Sequence, residues 1–245
     1  MPDELVKATF ESSAFALRPG GKIWLVARFK IHDGYRISWK NPGDVGKPTR
    51  AKFSVPEGFS VGEVRYPRPR RFVLNGDLVS YGYREETALF AEVEVPEGLS
   101  EQTAYRFDLE ADWYACKKQC ATESTQAFFE LLVDPSAPRT AMDETLSALL
   151  DSVPVPVSEF MRAKHQWRES GSETELSLTA PEVEWLDFYP AEPALPKPLR
   201  VQGSKRELLV SFAAPAEPPA SLRGIAIGKV DGAEATYDVE LPWGK

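Results

Sequence analysis

The sequence predicts an all-β protein of two β-sandwich or barrel modules joined by one short helix. Three observations predict this fold class. Apolar and polar residues alternate along many short stretches, proline and glycine turns separate these stretches about every ten residues, and the alternation breaks once near the middle of the 245-residue chain. We place the modules at 1–135 and 155–245, with a helical linker at 136–154.

The first module is predicted from five strand-like stretches, beginning with Lys22–Ile31. Through most of them apolar side chains fall on alternate positions, which places these side chains on one face of a strand. Turn residues bound the stretches, and Asn41-Pro42-Gly43-Asp44 predicts one such turn. The later stretches are Ala51–Val55, Leu89–Val95, Tyr105–Ala111 and Ala127–Val133.

A helix is predicted where the alternation breaks. Apolar residues from Met142 to Leu150 recur at helical spacing. Thr140 followed by Asp143 is a start signal, and Pro154 ends the segment. We therefore expect a helix at about 140–152, between two β-rich modules.

The second module is predicted from period-two patterning that resumes after residue 172. This half contains no cysteine and no obvious catalytic group, so we expect a second β-sandwich that supports the first. The six predicted strands lie in the stretches 173–181, 183–190, 197–202, 206–212, 222–230 and 235–242.

The composition excludes several classes of function. The formal net charge of −8 argues against nucleic acid or an anionic membrane surface as a partner. No apolar run approaches the roughly 18 residues of a membrane span, and no signal-peptide region is visible at the start. We therefore expect either a cytoplasmic chain or a mature chain whose leader has been removed. No nucleotide-binding loop, Ser-His-Asp pattern or metal-ligand spacing is present, so we expect no cofactor and no zinc site.

The two cysteines, Cys116 and Cys120, stand three residues apart in “ADWYACKKQCATES”. On an extended strand their Cα atoms would lie roughly 13 Å apart, and a disulfide needs them within about 7 Å. A bridge therefore requires a helical turn or a tight loop. So short a loop removes little entropy from the unfolded chain, which suits a reducible redox pair better than a stabilising bridge. Lys117 and Lys118 lie between the cysteines, and nearby cations favour the thiolate form that a redox pair uses. Two soft thiolates can also bind Cu(I), so a metal site is the second interpretation. An inert pair is the third.

Two further stretches are candidates for a binding surface. Arg65–Phe72 carries four arginines in an acidic chain, and it is either a solvated loop or a docking surface for an acidic partner. Tyr81 and Tyr83 share one strand face, which either packs in the core or lines a site.

Several of these stretches, taken in order, resemble the periplasmic N-terminal domain of DsbD-like and ScsB-like thiol:disulfide interchange proteins. In the first module the similar stretches are “GYRISWKNPGDVGKPTRAKFSVPEGF”, “RYPRPRRF”, “LVSYGYREETALFAEVEVP” and “ADWYACKKQCATES”. The second module looks more loosely like the second β-domain of ScsB-like proteins, through “VEWLDFYPAEPALPKPLRV” and “LRGIAIGKVDGAEATYDVELP”. Ala121-Thr122 stands where the family usually has an apolar residue followed by proline.

The resemblance implies an immunoglobulin-like fold, a periplasmic location and a reversible Cys116–Cys120 disulfide. It implies a thiol–disulfide redox carrier, rather than a small-molecule enzyme, that exchanges disulfides with a membrane electron donor and with oxidised periplasmic acceptors. Cys120 is then the attacking thiol and Cys116 the resolving thiol. The alternatives are a Cu(I)-binding copper-tolerance module that uses the same two thiolates, and a structural interaction module with an inert disulfide.

The resemblance also implies an aromatic cap over the disulfide. By order along the chain the capping residue is Phe72, in “RRFVLNGDL”, which we expect to be a surface loop. A core position for Phe72 is the alternative. Tyr81, Tyr83 and Trp113 are the further candidates for residues that line the site.

Overall fold

The computed structural model describes residues 4–74, 76, 78–100, 103–138, 142–156 and 164–244. It divides into two compact units, Met1–Val153 and Pro154–Lys245. Strands dominate both units, and the described residues contain one helix. The predicted all-β, immunoglobulin-like fold class is confirmed, whereas the division into modules and linker at 135 and 155 stays a prediction.

The first unit consists of two antiparallel sheets. One sheet has the strand order β1-β2-β8-β5. The other has the order β10-β9-β3-β7-β6, and β4 also pairs with β9. The strands are β1 (Val6–Ser12), β2 (Lys22–Ile31), β3 (Arg36–Gly43), β4 (Arg50–Ser54), β5 (Ser60–Val61), β6 (Arg70–Val73), β7 (Val79–Tyr83), β8 (Glu86–Glu94), β9 (Tyr105–Cys116) and β10 (Cys120–Leu131).

Aromatic side chains from the two sheets of the first unit meet in its core. The ring centroids of Phe29 on β2 and Trp113 on β9 lie 5.2 Å apart, and those of Phe10 and Phe129 lie 4.5 Å apart. The alternation that predicts β9 matches its burial, because every second residue from Phe107 onward is buried. Each large apolar side chain so buried stabilises the fold by roughly 2–3 kcal/mol, and this core fixes which face of β9 remains outside.

The helix α1 (Glu144–Asp151) packs on the outer face of the first sheet. Leu146 contributes to a buried cluster with Val26 and Phe90, which lie on β2 and β8. The Asp143 carboxylate accepts the Leu146 N–H at 2.8 Å and so caps the helix. The helix is thus shorter than the predicted 140–152, and the start signal at Thr140 lies outside the described residues.

The second unit consists of two sheets of four strands each, in the orders β11-β18-β17-β14 and β12-β13-β16-β15. Each of the six stretches predicted as strands forms one, and Phe188 on β14 meets Phe212 on β16 with ring centroids 6.3 Å apart. The strands are β11 (Val155–Pro156), β12 (Lys164–Ser170), β13 (Glu173–Thr179), β14 (Glu184–Pro190), β15 (Pro198–Gly203), β16 (Glu207–Ala213), β17 (Ser221–Val230) and β18 (Ala233–Pro242).

Two local predictions for the first unit are wrong in part. Asn41–Gly43 continues β3 instead of forming a turn, because a register shift against β7 absorbs the irregular backbone. Gly43 has φ 79° there, and a Cβ atom would lie 2.4 Å from the Val79 carbonyl oxygen. The stretch predicted as a loop around Phe72 begins as strand β6, which pairs with β7.

Candidate redox site

The two cysteines close the end of a β-hairpin. Cys116 ends β9 and Cys120 begins β10, and the two residues face each other in the antiparallel register. Their Cα atoms lie 4.1 Å apart and a disulfide joins the side chains. The Lys117 N–H donates to the Gln119 carbonyl oxygen at 3.1 Å inside the turn. Of the two ways to bring the cysteines together, the chain therefore uses a tight loop and not a helical turn.

The two halves of the disulfide differ in exposure. Cys116 is 5% exposed, whereas Cys120 is exposed. By the alternation of β9, Cys116 projects from the outer face of the sheet, opposite to the core residues Trp113 and Ala115. A thiolate approaching from solvent therefore reaches the sulfur of Cys120 more readily than that of Cys116.

Cationic side chains lie on both sides of the disulfide. Arg36 on β3 is the register partner of Cys116, so both side chains project from the same face. Lys117 lies in the hairpin turn, where its Nζ donates to the Asp33 carbonyl oxygen at 3.3 Å and lies 5.5 Å from the Tyr35 ring centroid. Arg36 is therefore the cation that shares a sheet face with Cys116.

Phe72 contacts the arginine beside the disulfide. The ring centroid of Phe72 lies 6.0 Å from Cζ of Arg36 and 4.6 Å from Cζ of Arg84. Phe72 is partly exposed on β6 and does not belong to the buried core. The pairing of β9 with β3 thus places Arg36 beside Cys116, and the cation–π contact places Phe72 beside Arg36.

The other three predicted site residues are buried. Tyr81 packs against Trp39 with ring centroids 6.4 Å apart. The Tyr83 hydroxyl donates to the Pro67 carbonyl oxygen at 2.8 Å, and burial raises the pKa of Tyr83 well above its ordinary value. Trp113 Nε1 donates to Glu123 at 2.9 Å. These contacts are made within the core. The role of the three residues as a lining of the site stays a prediction.

Arg36 and Arg84 lie near the site but were not predicted from the sequence. Each reads as an ordinary polar residue at the end of a strand, and only the pairing of β3 with β9 brings Arg36 to Cys116. The cluster Arg65–Phe72 carried the one available signal, since it predicted a basic surface that includes Phe72.

Within the described ranges no three His, Cys, Asp or Glu side chains gather as a metal site. The described part of the chain has no helix with the length and apolar character needed to cross a membrane.

Comparisons with known proteins identify the family and the fold. A family model described as “Thiol:disulfide interchange protein DsbD, N-terminal” matches residues 4–132. The crystal structure of the N-terminal periplasmic domain of ScsB from Proteus mirabilis superposes with a TM-score of 0.64 at 17% identity, covering 99% of this chain and 96% of that chain. A chimeric titin Z1Z2 aligns over 99% of this chain and 98% of its own at 14% identity, with a TM-score of 0.23. No curated protein matches the chain.

Proposed function

The chain belongs to the family of N-terminal domains of the thiol:disulfide interchange protein DsbD, and we propose that it passes pairs of electrons between periplasmic proteins through the Cys116–Cys120 disulfide. The observation that carries this proposal is the position of the disulfide, at the end of a hairpin with Cys120 exposed and Cys116 buried. A disulfide placed there is open to another protein's sulfur without any unfolding of the sandwich.

The exchange proceeds in two displacement steps. The thiolate of a reduced donor attacks Sγ of Cys120, the bond between the two cysteines breaks, and Cys116 leaves as a thiolate. A second thiolate of the donor then attacks the donor's own sulfur in this mixed disulfide and releases Cys120. The donor ends as a disulfide, and this chain ends with two thiols after two protons are taken from water.

The reduced chain then delivers the electrons by the reverse steps. Cys120 attacks the disulfide of an oxidised periplasmic protein, and Cys116 resolves the mixed disulfide. Arg36 supports both directions, because it projects from the same face as Cys116 and a nearby cation stabilises a thiolate leaving group.

Single-cysteine variants test this assignment. We expect Cys116→Ser, which keeps Cys120, to form a mixed disulfide with oxidised glutathione roughly tenfold faster than Cys120→Ser, because Cys116 is buried. Mass spectrometry over time measures both rates. Equal rates, or a faster Cys120→Ser variant, would contradict the roles given to the two cysteines.

The wild-type protein tests the redox role itself. Equilibration with dithiothreitol and glutathione buffers measures the reduction potential, and an exchange module has a disulfide that these reagents reduce while the protein remains folded. A disulfide that resists dithiothreitol in the folded protein would favour the inert interaction module. Tight Cu(I) binding by a pair that exchanges with neither reagent would favour the copper module.

We further propose that Phe72 caps the disulfide and moves aside when a partner docks. Phe128 on β10 is the matched control, because it is 58% exposed and stacks 3.9 Å from Cζ of Arg106. Phe72→Ala should speed reduction by dithiothreitol several-fold, whereas Phe128→Ala should not. Each variant should lose about 1 kcal/mol of unfolding free energy or less, the size of a surface cation–π contact.

The opposite result for Phe72→Ala would identify a structural side chain. A core phenylalanine replaced by alanine costs about 3 kcal/mol or more. Such a loss, together with an unchanged rate of disulfide reduction, would overturn the assignment of Phe72 as a cap.

A further inference from the structure

Two guanidinium groups lie in line with the disulfide on the outer face of the second sheet. Arg36 faces Cys116 across β3 and β9. On the other side of β3, Ile37 pairs with Tyr83, so Arg84 follows directly beside Arg36. Side chains of register neighbours on adjacent strands project from the same face. The order across the sheet is therefore cysteine, arginine, arginine, within a chain whose net charge is −8.

The two arginines share one aromatic contact and, within the described ranges, have no acidic partner. The Phe72 ring lies against both guanidinium groups, at 6.0 and 4.6 Å from their Cζ atoms. Among the described residues, no carboxylate lies within ion-pair distance of Arg36 or Arg84. Burial, and after it the charge of Arg84, lowers the pKa of Arg36, although an arginine remains charged at neutral pH.

Other arginines of the same unit do have carboxylate partners. Arg106 lies 2.7 Å from Asp108, and Arg70 lies 4.0 Å from Glu85. Each guanidinium carries five N–H donors in a planar fork that matches a carboxylate, and such charged hydrogen bonds are stronger than a contact with an aromatic ring. Arg36 and Arg84 therefore retain donor capacity that the described part of the fold does not use.

We infer that Arg36 and Arg84 form a docking site for carboxylates that border the reactive cysteine of a partner protein. This inference rests on the proposed function, because only a partner that exchanges disulfides must place its sulfur within bonding distance of Cys120. The partner is a protein with an acidic rim around its cysteine.

The net negative charge of the chain and the positive charges of Arg36 and Arg84 act on a partner over different distances. Charges separated by more than about 8 Å are largely screened at physiological ionic strength, so the net charge weakly opposes an acidic partner during approach. Contact between carboxylates and the two guanidinium groups acts at hydrogen-bond distance. The result is an attraction confined to the orientation that brings the two sulfurs together.

Two synthetic peptides with one cysteine each test the inference. In one peptide the cysteine is flanked by glutamates, and in the other by glutamines. The rate at which each peptide thiol forms a mixed disulfide with the oxidised protein is measured by mass spectrometry. The ratio of the two rates is then compared between protein variants, so differences in intrinsic reactivity between the peptides cancel.

We expect Arg84→Glu to lower the acidic-to-neutral rate ratio about tenfold. Arg36→Gln, which avoids placing a negative charge at a partly buried position, should lower it about threefold. Arg106→Glu is the control, because it changes the net charge as Arg84→Glu does but lies near the opposite end of β9. That variant should leave the ratio unchanged.

The results separate this inference from the proposed function. If the wild-type disulfide reacts with both peptides but the ratio is the same in Arg84→Glu and Arg106→Glu, the docking site is overturned and the exchange function stands. If neither peptide, nor dithiothreitol, opens the wild-type disulfide, both fail. A ratio that falls in Arg84→Glu and in wild-type protein at high salt, but not in Arg106→Glu, supports the docking site.

Discussion

Arg28 and Arg36 lie in neighbouring parts of the first unit but in opposite electrostatic surroundings. Arg28 on β2 is buried and has three carboxylate partners. Its Nη1 lies 2.6 Å from Asp143 and 3.6 Å from Glu11, and its Nε donates to Glu86. Arg36 on β3 is partly buried and, among the described residues, has an arginine neighbour and no carboxylate.

Burial opposes the charge of both side chains, and the outcome differs. For Arg28 the hydrogen bonds and charges of Asp143 and Glu86 outweigh burial and raise the pKa. For Arg36 burial lowers the pKa, and the charge of Arg84 lowers it further. Arg28 thus joins helix α1 to the sheet through its carboxylates, whereas Arg36 is the residue that we propose as part of a docking site.

The largest expected effect on stability comes from breaking the compensated site. Arg28→Met should lower the free energy of unfolding by about 2–3 kcal/mol, because Glu86 loses its buried partner and helix α1 loses its ion pair to the sheet. Urea unfolding followed by tryptophan fluorescence measures the change. An unfolding free energy within about 0.5 kcal/mol of wild type would mean that the ion pairs of Arg28 do not hold the helix to the sheet.

A smaller effect is expected from the pH dependence of the same site. The Leu146 N–H and then the Arg28 guanidinium lower the pKa of Asp143. Since the folded pKa lies below the unfolded value, the stabilisation is present above about pH 4 and is lost as pH falls through the folded pKa.

Asp143→Asn isolates this contribution. The amide still caps the helix, so the variant removes the titration but keeps the hydrogen bond. Between pH 5 and the acid limit of folding, the unfolding free energy of the variant should fall less steeply with decreasing pH than that of wild type. Parallel slopes for the two proteins would rule out Asp143 as a source of the acid sensitivity.

The smallest effect on stability is expected at the uncompensated site. Arg36→Met changes the net charge as Arg28→Met does, yet the free energy of unfolding should stay within about 0.5 kcal/mol of wild type. The lost contact with Phe72 is offset by the removal of burial cost and of repulsion from Arg84. A loss comparable to that of Arg28→Met would place both arginines in the same structural role.

The sequence was sufficient for what depends on local pattern. Alternation along β9 predicted its buried face, because a strand buried on one side needs apolar residues at every second position. The apolar spacing before Pro154 predicted the helix, and its N-terminal cap is Asp143, the second residue of the predicted start signal. The helix begins at this cap because Asp143 is held both by the Leu146 N–H and by Arg28 on β2.

Features that depend on pairing between distant strands could not be predicted from the sequence. The spacing of Cys116 and Cys120 permitted two kinds of turn, and only the register of β9 with β10 selects a hairpin. Arg36 precedes Cys116 by 80 residues, and Arg84 reaches the site through β3 and β7. Local propensity does not encode which residues come to lie side by side in a sheet, because the cysteine and the two arginines come from three separate segments of the chain.

The hairpin that carries the disulfide also determines how long a mixed disulfide survives. The β9–β10 ladder runs without a break from Tyr105–Leu131 to Cys116–Cys120, so we expect the ladder to hold the two cysteines together after their bond is reduced. Each thiol therefore meets the other at the high effective concentration of a rigid intramolecular pair. Under the proposed exchange, Cys116 would therefore displace a partner attached to Cys120 before a second protein competes, and the covalent complexes would be brief.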